Sequence, residues 1–286
     1  MKKLSVAIIG AGKVGTAFAL ALKHKRIKII SIVDRSAKKA RELSKYVKAQ
    51  QFTTKISEIS EKADLFIISV QDRYIKEVSY ELSQNNFNWK EKFAFHTSGA
   101  LTSDELKELE KVGCNVFSLH PNFSFVSNFI PFEILNFNKS VFALETSSKI
   151  SKRFAIDFCK KMNWEFFVLK KEQKEIYHSL AVLLSNYTVT QFYQIEKVLG
   201  RNAVKSYLNL LLSTIQNIQN FGVEKALTGP ISRGDILTVR KNLEALDNLN
   251  DELKIVYKKF GILTLEIVKN KIDKIEFDEL EKILSG

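Results

Sequence analysis

Three closely spaced glycines that follow an apolar run, within residues 4–15, constrain the fold of this chain more than any other stretch. Residues 4–9 have the near-continuous hydrophobicity of a parallel strand that is buried on both faces. The residues after Gly15 have helical spacing. In such a segment Gly10 allows a tight turn, Gly12 lets the backbone approach a pyrophosphate, and Gly15 lets the helix pack closely on the strand. The segment therefore predicts a strand, a phosphate-binding turn and a helix whose N-terminus faces an anion.

A second apolar run and an acidic residue support this interpretation. Residues 28–33 predict another strand, and Asp34 follows it directly. In dinucleotide-binding domains an acid about 20 residues beyond the glycine turn binds the ribose, and Asp34 stands close to that spacing. The order of these features favours a dinucleotide site over a tight turn without a ligand. The residues expected to contact the dinucleotide are Gly10, Ala11, Gly12, Lys13, Val14, Gly15, Asp34, Arg35, Ser36, Val70, Thr97 and Ser98.

The residues after the second predicted strand bear on the choice of dinucleotide. Asp34 accepts a hydrogen bond from a ribose 2′-hydroxyl and repels a 2′-phosphate, which favours NAD. Arg35, Ser36 and two nearby lysines supply positive charge and hydrogen-bond donors for that phosphate, which favours NADP. We expect NADP, with NAD as the alternative.

Strand and helix patterns alternate along the first part of the chain and then give way to helical patterns alone. Further buried strands are predicted at 65–70, 93–95, 116–119, 141–144 and 165–169. The alternation predicts a Rossmann-type α/β fold, a doubly wound and mostly parallel sheet, over residues 1–170. Residues 171–286 predict an all-helical domain, with helices at 173–199, 201–221, 235–248, 251–270 and 276–284.

Charge and cysteine content limit the classes of partner. Lys and Arg outnumber Asp and Glu by 44 to 32, but the lysines are scattered and form no basic run interleaved with aromatic residues. This pattern favours a solvated basic surface over a nucleic-acid-binding protein. No apolar stretch reaches the length of roughly 18 residues that a membrane-spanning helix needs, so no membrane partner is expected. Cys114 and Cys159 lack the spacing of a metal site or a disulfide framework, which is typical of a cytoplasmic protein.

Polar residues at predicted strand ends are the first candidates for chemistry, because ligands bind at that edge of such sheets. One strand is followed by His96, Thr97, Ser98 and Gly99, and the next by His120. Histidine exchanges protons near neutral pH, although each histidine alone has an equally good interpretation as a hydrogen-bonded structural residue.

The first predicted helix of the C-terminal region carries a polar row among apolar residues. Lys174 and His178 lie one turn apart on the same face, Ser185 lies two turns beyond His178, and Asn186 is adjacent to that face. A polar row on an apolar helix predicts contact with a wet cleft. A hydrogen-bond network between helices is the alternative interpretation.

A second polar segment, residues 228–235, interrupts the helical region. Gly229 and Pro230 break the helix, and Arg233 offers a bidentate fork that binds a carboxylate. Asp235 is predicted to be the N-cap of the following helix rather than a catalytic acid.

Several motifs occur in an order that resembles one group of Rossmann-like oxidoreductases. They are the glycine turn, His96-Thr97-Ser98-Gly99, His120-Pro121, Tyr177-His178, Ser185-Asn186-Tyr187 and the LTGPISRGD segment at 227–235. The C-terminal helical domain of this group was long classed as of unknown function, and some members look like alternative ketopantoate reductases. The resemblance implies reduction of ketopantoate to pantoate with NADPH, a step of pantothenate and coenzyme A biosynthesis. It also implies a homodimer formed through the helical domain.

For a 2-oxo acid substrate, the motif residues have expected roles. His178 is expected to donate the proton and Asn186 to orient the carbonyl group. The related hydroxyacid dehydrogenases carry a catalytic lysine four residues before the asparagine, where this chain has Val182, so Lys174 is the other candidate for the acid. The residues expected to bind the substrate are Ser98, His120 and Arg233.

Two other functions remain open at this level. The architecture is also similar to pyrroline-5-carboxylate reductase, which implies reduction of a cyclic imine as one alternative. A non-catalytic NADP-binding sensor is the other.

Overall fold

The structure is a computed structural model, and it describes residues 4–125 and 137–286. Its described strands form one sheet in the order β3-β2-β1-β4-β5-β6-β7-β8. Neighbouring strands are parallel, except that β6 and β7 are antiparallel. The predicted doubly wound, mostly parallel sheet is therefore confirmed. The strands are β1 (Ser5–Ile9), β2 (Lys28–Val33), β3 (Gln51–Thr53), β4 (Leu65–Ile68), β5 (Phe93–His96), β6 (Asn115–Pro121), β7 (Val141–Glu145) and β8 (Glu165–Val168).

Helices connect the strands and then continue alone to the end of the chain. Those between the strands are α1 (Lys13–His24), α2 (Ala37–Val47), α3 (Ile75–Ser83), α4 (Lys107–Lys111) and α5 (Lys149–Met162). After the sheet come α6 (Lys174–Leu199), α7 (Arg201–Phe221), α8 (Val223–Ala226), α9 (Ile236–Asp247), α10 (Asp251–Val268) and α11 (Lys274–Ser285). Short 3₁₀ helices lie at Ile56–Glu58, Asp72–Tyr74, Trp89–Glu91, Ser103–Leu106, Lys171–Gln173 and Ile231–Arg233.

The chain divides into two compact units, Met1–Val189 and Thr190–Gly286. Helix α6 begins in the first unit and ends in the second. The functional boundary at residue 170 that the sequence suggests stays a prediction.

Apolar residues cover both faces of the sheet, which explains why its strands lack alternation. Along β1, Ala7 and Ile9 belong to one buried cluster and Ile8 to the other. The cluster that contains Ile8 is built around Phe18 of α1, whose ring packs edge-on against Trp164 at a centroid distance of 5.5 Å. Burial of this kind stabilises a fold by about 25 cal/mol per Å² of apolar surface. The two clusters fix the sheet edge that carries the candidate site.

The second unit has its own core between α9, α10 and α11. Gly261 of α10 allows a close approach, because a methyl group on it would lie 2.7 Å from Cδ2 of Leu284. By contrast, every residue of α7 is at least partly exposed.

None of the helices within the described residues combines the length and hydropathy needed to cross a bilayer.

Candidate active site

The glycine turn between β1 and α1 is held by two close backbone contacts. Gly10 has a φ of +100°, and a methyl group on it would lie 2.6 Å from the Ser69 carbonyl oxygen. A methyl group on Gly15 would lie 1.9 Å from the Gly10 carbonyl oxygen. The tight turn and the close packing of helix on strand, both predicted from the sequence, are confirmed.

Gly12 differs from the other two glycines because it faces open space. A methyl group on Gly12 would meet no atom of the described residues within 4 Å. Gly12 is also the N-cap of α1 and has no side chain to bind the N–H groups of the first turn. Free N–H groups at a helix N-terminus, next to open space, fit the pyrophosphate of a dinucleotide.

Asp34 connects the glycine turn to the end of β2. Its Oδ2 accepts a hydrogen bond from Ala11 N at 2.8 Å, and its Oδ1 accepts one from Ser36 N at 2.8 Å. Each oxygen keeps a second lone pair for another donor. The contact to a ribose therefore stays a prediction, whereas the structural role of Asp34 is visible directly.

A cleft of about 740 Å³ opens beside the glycine turn. Its lining includes Gly12, Asp34, Arg35 and Val70 from the predicted cofactor contacts. Tyr74 lines the same cleft, and the Arg35 guanidinium lies 4.3 Å from the centroid of its ring. The cleft thus has an aromatic face next to a cation.

Lys13 and Thr97 occupy different positions around the turn. Lys13 is the first residue of α1, and its Nζ donates to the Phe125 carbonyl at 3.4 Å. Thr97 is buried just after β5, and its N–H donates to the Ile68 carbonyl at 3.2 Å. Both lie near the carboxyl edge of the sheet.

His96, the last residue of β5, is a structural histidine. It is fully buried, its Nε2 donates to the Thr102 carbonyl at 2.9 Å, and its Nδ1 accepts from Ser98 N at 3.2 Å. Burial lowers the pKa of His96 to about 3, and the nearby Lys174 contributes in the same direction. His96 is therefore neutral at neutral pH and shapes the loop that follows it.

Ser98 is bonded on several sides. Its hydroxyl donates to Oδ2 of Asp72 at 2.7 Å and accepts from the N–H groups of Ala100 and Leu101 at 3.3 and 3.1 Å. These bonds hold the loop between β5 and the next 3₁₀ helix in one conformation. The roles of Ser98 toward substrate and cofactor stay predictions.

Lys174, the first residue of α6, is fully buried. Its Nζ donates to the Ser98 carbonyl and to the Ser118 hydroxyl, each at 2.8 Å. Burial lowers the pKa of Lys174 to about 8, while the charges of Glu145 and Asp72 act in the opposite direction. The lysine ties the start of α6 to the ends of β5 and β6.

His120 and His178 converge on the space in front of Gly99. A methyl group on Gly99 would lie 2.6 Å from His178 Nδ1 and 3.0 Å from His120 Nε2. His178 Nδ1 is buried and has no hydrogen-bond partner among the described residues. Burial, followed by the nearby Lys174, lowers the pKa of His120 to about 3. Two side chains that are far apart in the sequence thus form one polar pocket.

Three other residues named from the sequence belong to α6 or to the second unit. Asn186 is exposed on α6, about 12 Å along the helix axis from His178 at about 1.5 Å per residue. Arg233 is exposed in the second unit, at the end of the 3₁₀ helix Ile231–Arg233. Asp235 is the N-cap of α9, as predicted, since its Oδ1 accepts from Thr238 N at 3.0 Å. The hydrogen bonds from Thr238 also lower the pKa of Asp235.

Sequence reasoning gave no role to Tyr177, Ser118 or Asp72. Tyr177 Oη lies 2.8 Å from His120 Nδ1, and burial raises the pKa of Tyr177 to about 12. Ser118 and Asp72 could have been found by their position, because both lie at or just beyond the ends of predicted strands.

Comparisons with known proteins agree with this architecture. Residues 1–121 match a Rossmann-like domain family, and residues 140–264 match a domain of unknown function, DUF2520. No curated protein is significantly similar in sequence.

Three similar solved structures illustrate the fold. Protein TM1727 from Thermotoga maritima is 26% identical, with 93% of this chain and 99% of that chain covered and a TM-score of 0.73. A candidate NADP oxidoreductase from Bacteroides fragilis, BF3122, is 22% identical, with 94% and 99% covered and a TM-score of 0.71. An imine reductase from Myxococcus stipitatus in complex with NADP⁺ is 11% identical, with 93% and 95% covered and a TM-score of 0.62. The chain thus combines a Rossmann-like domain with a DUF2520 domain.

Proposed function

We propose that this protein is an NADPH-dependent oxidoreductase that reduces a small 2-oxo acid. The observation that carries the proposal is that the glycine turn and the two converging histidines lie at the same edge of one sheet. In the strand order, β5 and β6 are the second and third neighbours of β1 on one side. At about 4.8 Å per strand, the histidines lie roughly 10–15 Å across that edge from the turn. Parallel sheets bind dinucleotides along this edge.

The residues of the cleft fit NADP. Gly12 and the first turn of α1 would hold the pyrophosphate, and Tyr74 offers a flat face to the adenine. Arg35 and Lys39 line the same cleft and supply positive charge for a 2′-phosphate. NAD is the alternative, because Asp34 suits an unmodified ribose. The bound nucleotide would supply the hydride.

The histidine pocket provides what carbonyl reduction needs besides hydride. Negative charge develops on the carbonyl oxygen as hydride reaches the carbon, so a positioned proton donor accelerates the reaction. His178 is this donor in our proposal, with His120 beside it. Lys174 acts as a positioning residue, because its ammonium group holds the Ser98 carbonyl and α6 together.

The substrate that the family resemblance implies is ketopantoate, with pantoate as product. Arg233 would bind the carboxylate, and the role expected for Asn186 stays a prediction, because Asn186 lies about 12 Å along α6 from His178. Arg233 is exposed on a rigid turn, where Pro230 O accepts hydrogen bonds from the N–H groups of Arg233 and Asp235 at 3.2 and 2.9 Å. A guanidinium fork carried by such a turn suits a planar carboxylate.

The exposed apolar residues of α7 support a homodimer. The side chains concerned are Leu208, Leu210, Leu212, Ile215, Ile218 and Phe221, which are 42–61% exposed. An apolar surface of this extent on a helix marks an association site. The mass of the protein in solution tests this part of the proposal.

Imine reduction is a second candidate, because one of the similar structures is an imine reductase with NADP⁺. An iminium already carries its proton, so this reaction has no use for an additional acid. The histidine pocket therefore favours a carbonyl substrate.

The test is consumption of NADPH with ketopantoate, other 2-oxo acids and pyrroline-5-carboxylate as separate substrates. We expect turnover with a 2-oxo acid and a loss of kcat, with little change in NADPH affinity, in the H178A variant. The exposed His24 gives a matched control, H24A, which should behave as wild type. Binding of NADPH without turnover of any of these compounds would contradict the proposal and indicate a sensor.

A further inference from the structure

The side chains of Tyr177, His120 and His178 form a line. The function proposed above assigns no role to Tyr177. Tyr177 Oη lies 2.8 Å from His120 Nδ1, and the two rings meet edge to face at an interplanar angle of 79°. On its other side, His120 Nε2 points to the space in front of Gly99, where His178 Nδ1 also points. The line therefore runs from a phenol through one imidazole to a second.

The protonation states along this line are complementary. His120 is neutral at neutral pH, because burial lowers its pKa to about 3, so its ring carries one N–H. When the Tyr177 hydroxyl donates to Nδ1, that N–H is on Nε2 and faces His178. The facing atom, His178 Nδ1, is buried and has no hydrogen-bond partner among the described residues. As an acceptor it leaves the proton of His178 on Nε2, at the other edge of the half-buried ring.

We propose that Tyr177 and His120 form a proton relay that supplies His178 during reduction. The proposal rests on the function proposed above, with His178 as the group that protonates the substrate. When hydride reaches the carbonyl carbon, the oxygen takes the proton from His178 Nε2. His178 Nδ1 takes the proton of His120 Nε2, and His120 Nδ1 takes the proton of the Tyr177 hydroxyl. The products are the alcohol, two neutral imidazoles and a tyrosinate.

The relay returns to its starting state after the product leaves. His178 Nε2 takes a proton from water, and the protons then move back in turn, until the Tyr177 oxygen is protonated again. The ring centroids of His120 and His178 are 6.1 Å apart. Proton transfer therefore needs a closer approach of the two rings. No imidazolium has to be present before the reaction begins.

Titratable groups on the neighbouring elements surround this line. Lys174 lies one turn before His178 on α6, and its charge lowers the pKa of His120. His178, and after it His96 at the end of β5, contribute in the same direction. Asp72 and Glu145, in the segments after β4 and in β7, act on Lys174 rather than on the imidazoles. The immediate surroundings of His120 are thus cationic or neutral, which disfavours the charged form of this ring.

The first test is the pH profile of kcat for the Y177F variant. Without the phenol the relay has no terminal donor, so the proton that His178 gives up can be replaced only from solution, where protons become scarcer as the pH rises. We expect kcat of Y177F to fall steeply with pH where wild type stays nearly constant, with KM for NADPH unchanged. The matched control is F167L, because the Phe167 ring packs on Tyr177 at 5.8 Å without a polar contact. F167L should keep the wild-type profile.

The second test needs no turnover. Nitrogen chemical shifts of the histidine rings report which ring nitrogen carries the proton. In wild type, His120 should show the Nε2–H tautomer, and His96, whose Nε2 is fixed by the Thr102 carbonyl, provides an internal reference. In Y177F the preference of His120 should be lost while the His96 signals stay the same.

The outcomes separate the relay from the proposed function. An inactive wild-type enzyme contradicts the proposed function, and the tautomer of His120 then decides the Tyr177–His120 part alone. An active enzyme in which Y177F keeps the wild-type pH profile overturns the relay. An unchanged His120 tautomer in Y177F overturns it as well.

Discussion

A substitution at Gly99 tests directly whether the positions of His120 and His178 matter for turnover. The φ of Gly99 lies outside the left-handed region, so alanine fits the backbone. The new methyl group would nevertheless lie 2.6 Å from His178 Nδ1 and 3.0 Å from His120 Nε2, where ordinary contact begins at about 3.4 Å. Both rings must therefore retreat, and the His178 ring must retreat further than the His120 ring. The G99A substitution thus separates the imidazoles without removing either.

The expected effect is a large loss of turnover with a smaller loss of stability. A misplacement near 1 Å at a reacting group costs about 100-fold in rate, so we expect kcat of G99A to fall about 100-fold. Overpacking of a buried site costs about 1–3 kcal/mol, which a denaturant titration measures. The affinity for NADPH should stay the same, because in the proposed function Gly99 faces the substrate.

Gly12 provides the matched substitution. A methyl group there meets no described atom within 4 Å, so G12A should keep the stability of wild type. The methyl would instead occupy the space expected for the pyrophosphate, and NADPH affinity should fall about tenfold or more, which is about 1.4 kcal/mol. A G99A enzyme with wild-type kcat, or with a loss of cofactor affinity alone, would refute the assignment of the pocket.

Three further predictions concern the cofactor, the buried lysine and the glycine turn. R35A should weaken NADP binding about 10- to 100-fold and leave NAD binding nearly unchanged, as measured by titration calorimetry. The control R41A, which alters a residue outside the cleft, should bind both nucleotides as wild type does. Equal losses for NADP and NAD in R35A would contradict a 2′-phosphate contact. The pKa of Lys174 is about 8 in the folded protein against 10.5 in the unfolded chain, so the unfolded chain binds more protons between these pH values. The free energy of unfolding should therefore rise by about 3 kcal/mol from pH 8 to 10.5 in wild type and much less in K174M. Parallel pH curves for the two proteins would show that Lys174 is not desolvated. G15A should yield little folded protein by circular dichroism, since its methyl would lie 1.9 Å from the Gly10 carbonyl oxygen, and a normal melting curve would show that α1 can move away from β1.

Much of the fold follows from local patterns in the sequence. Strands buried on both faces are continuous apolar runs, and α7 was predicted with its observed limits because Gly200 and Gly222, both with positive φ, stand at its ends. The strand β3, which is short and has Phe52 exposed, gives too weak a signal. The strand predicted at 65–70 ends at Ile68, although Ser69 N still donates to the Ile9 carbonyl at 2.8 Å.

The sequence places the candidate site residues on their elements but does not contain their arrangement. In the sequence, His96, His120 and His178 share the same kind of position, since all lie at strand ends or in a polar helical row, and the roles given to His178 and His120 rest on the family resemblance. Only long-range contacts distinguish them. His96 is closed off by its own loop, whereas His120 and Tyr177, which are distant in the sequence, are bonded to each other. Such contacts depend on how helix α6 docks on the strand ends, and helical spacing alone does not contain that information.

The most direct test of the central claim is a single assay of wild-type protein with NADPH and ketopantoate. The account predicts stoichiometric conversion of NADPH and the 2-oxo acid to the oxidised nucleotide and the 2-hydroxy acid, measured by absorbance and by analysis of the product. Tight binding of NADPH with no oxidation by ketopantoate or by any other 2-oxo acid would contradict it.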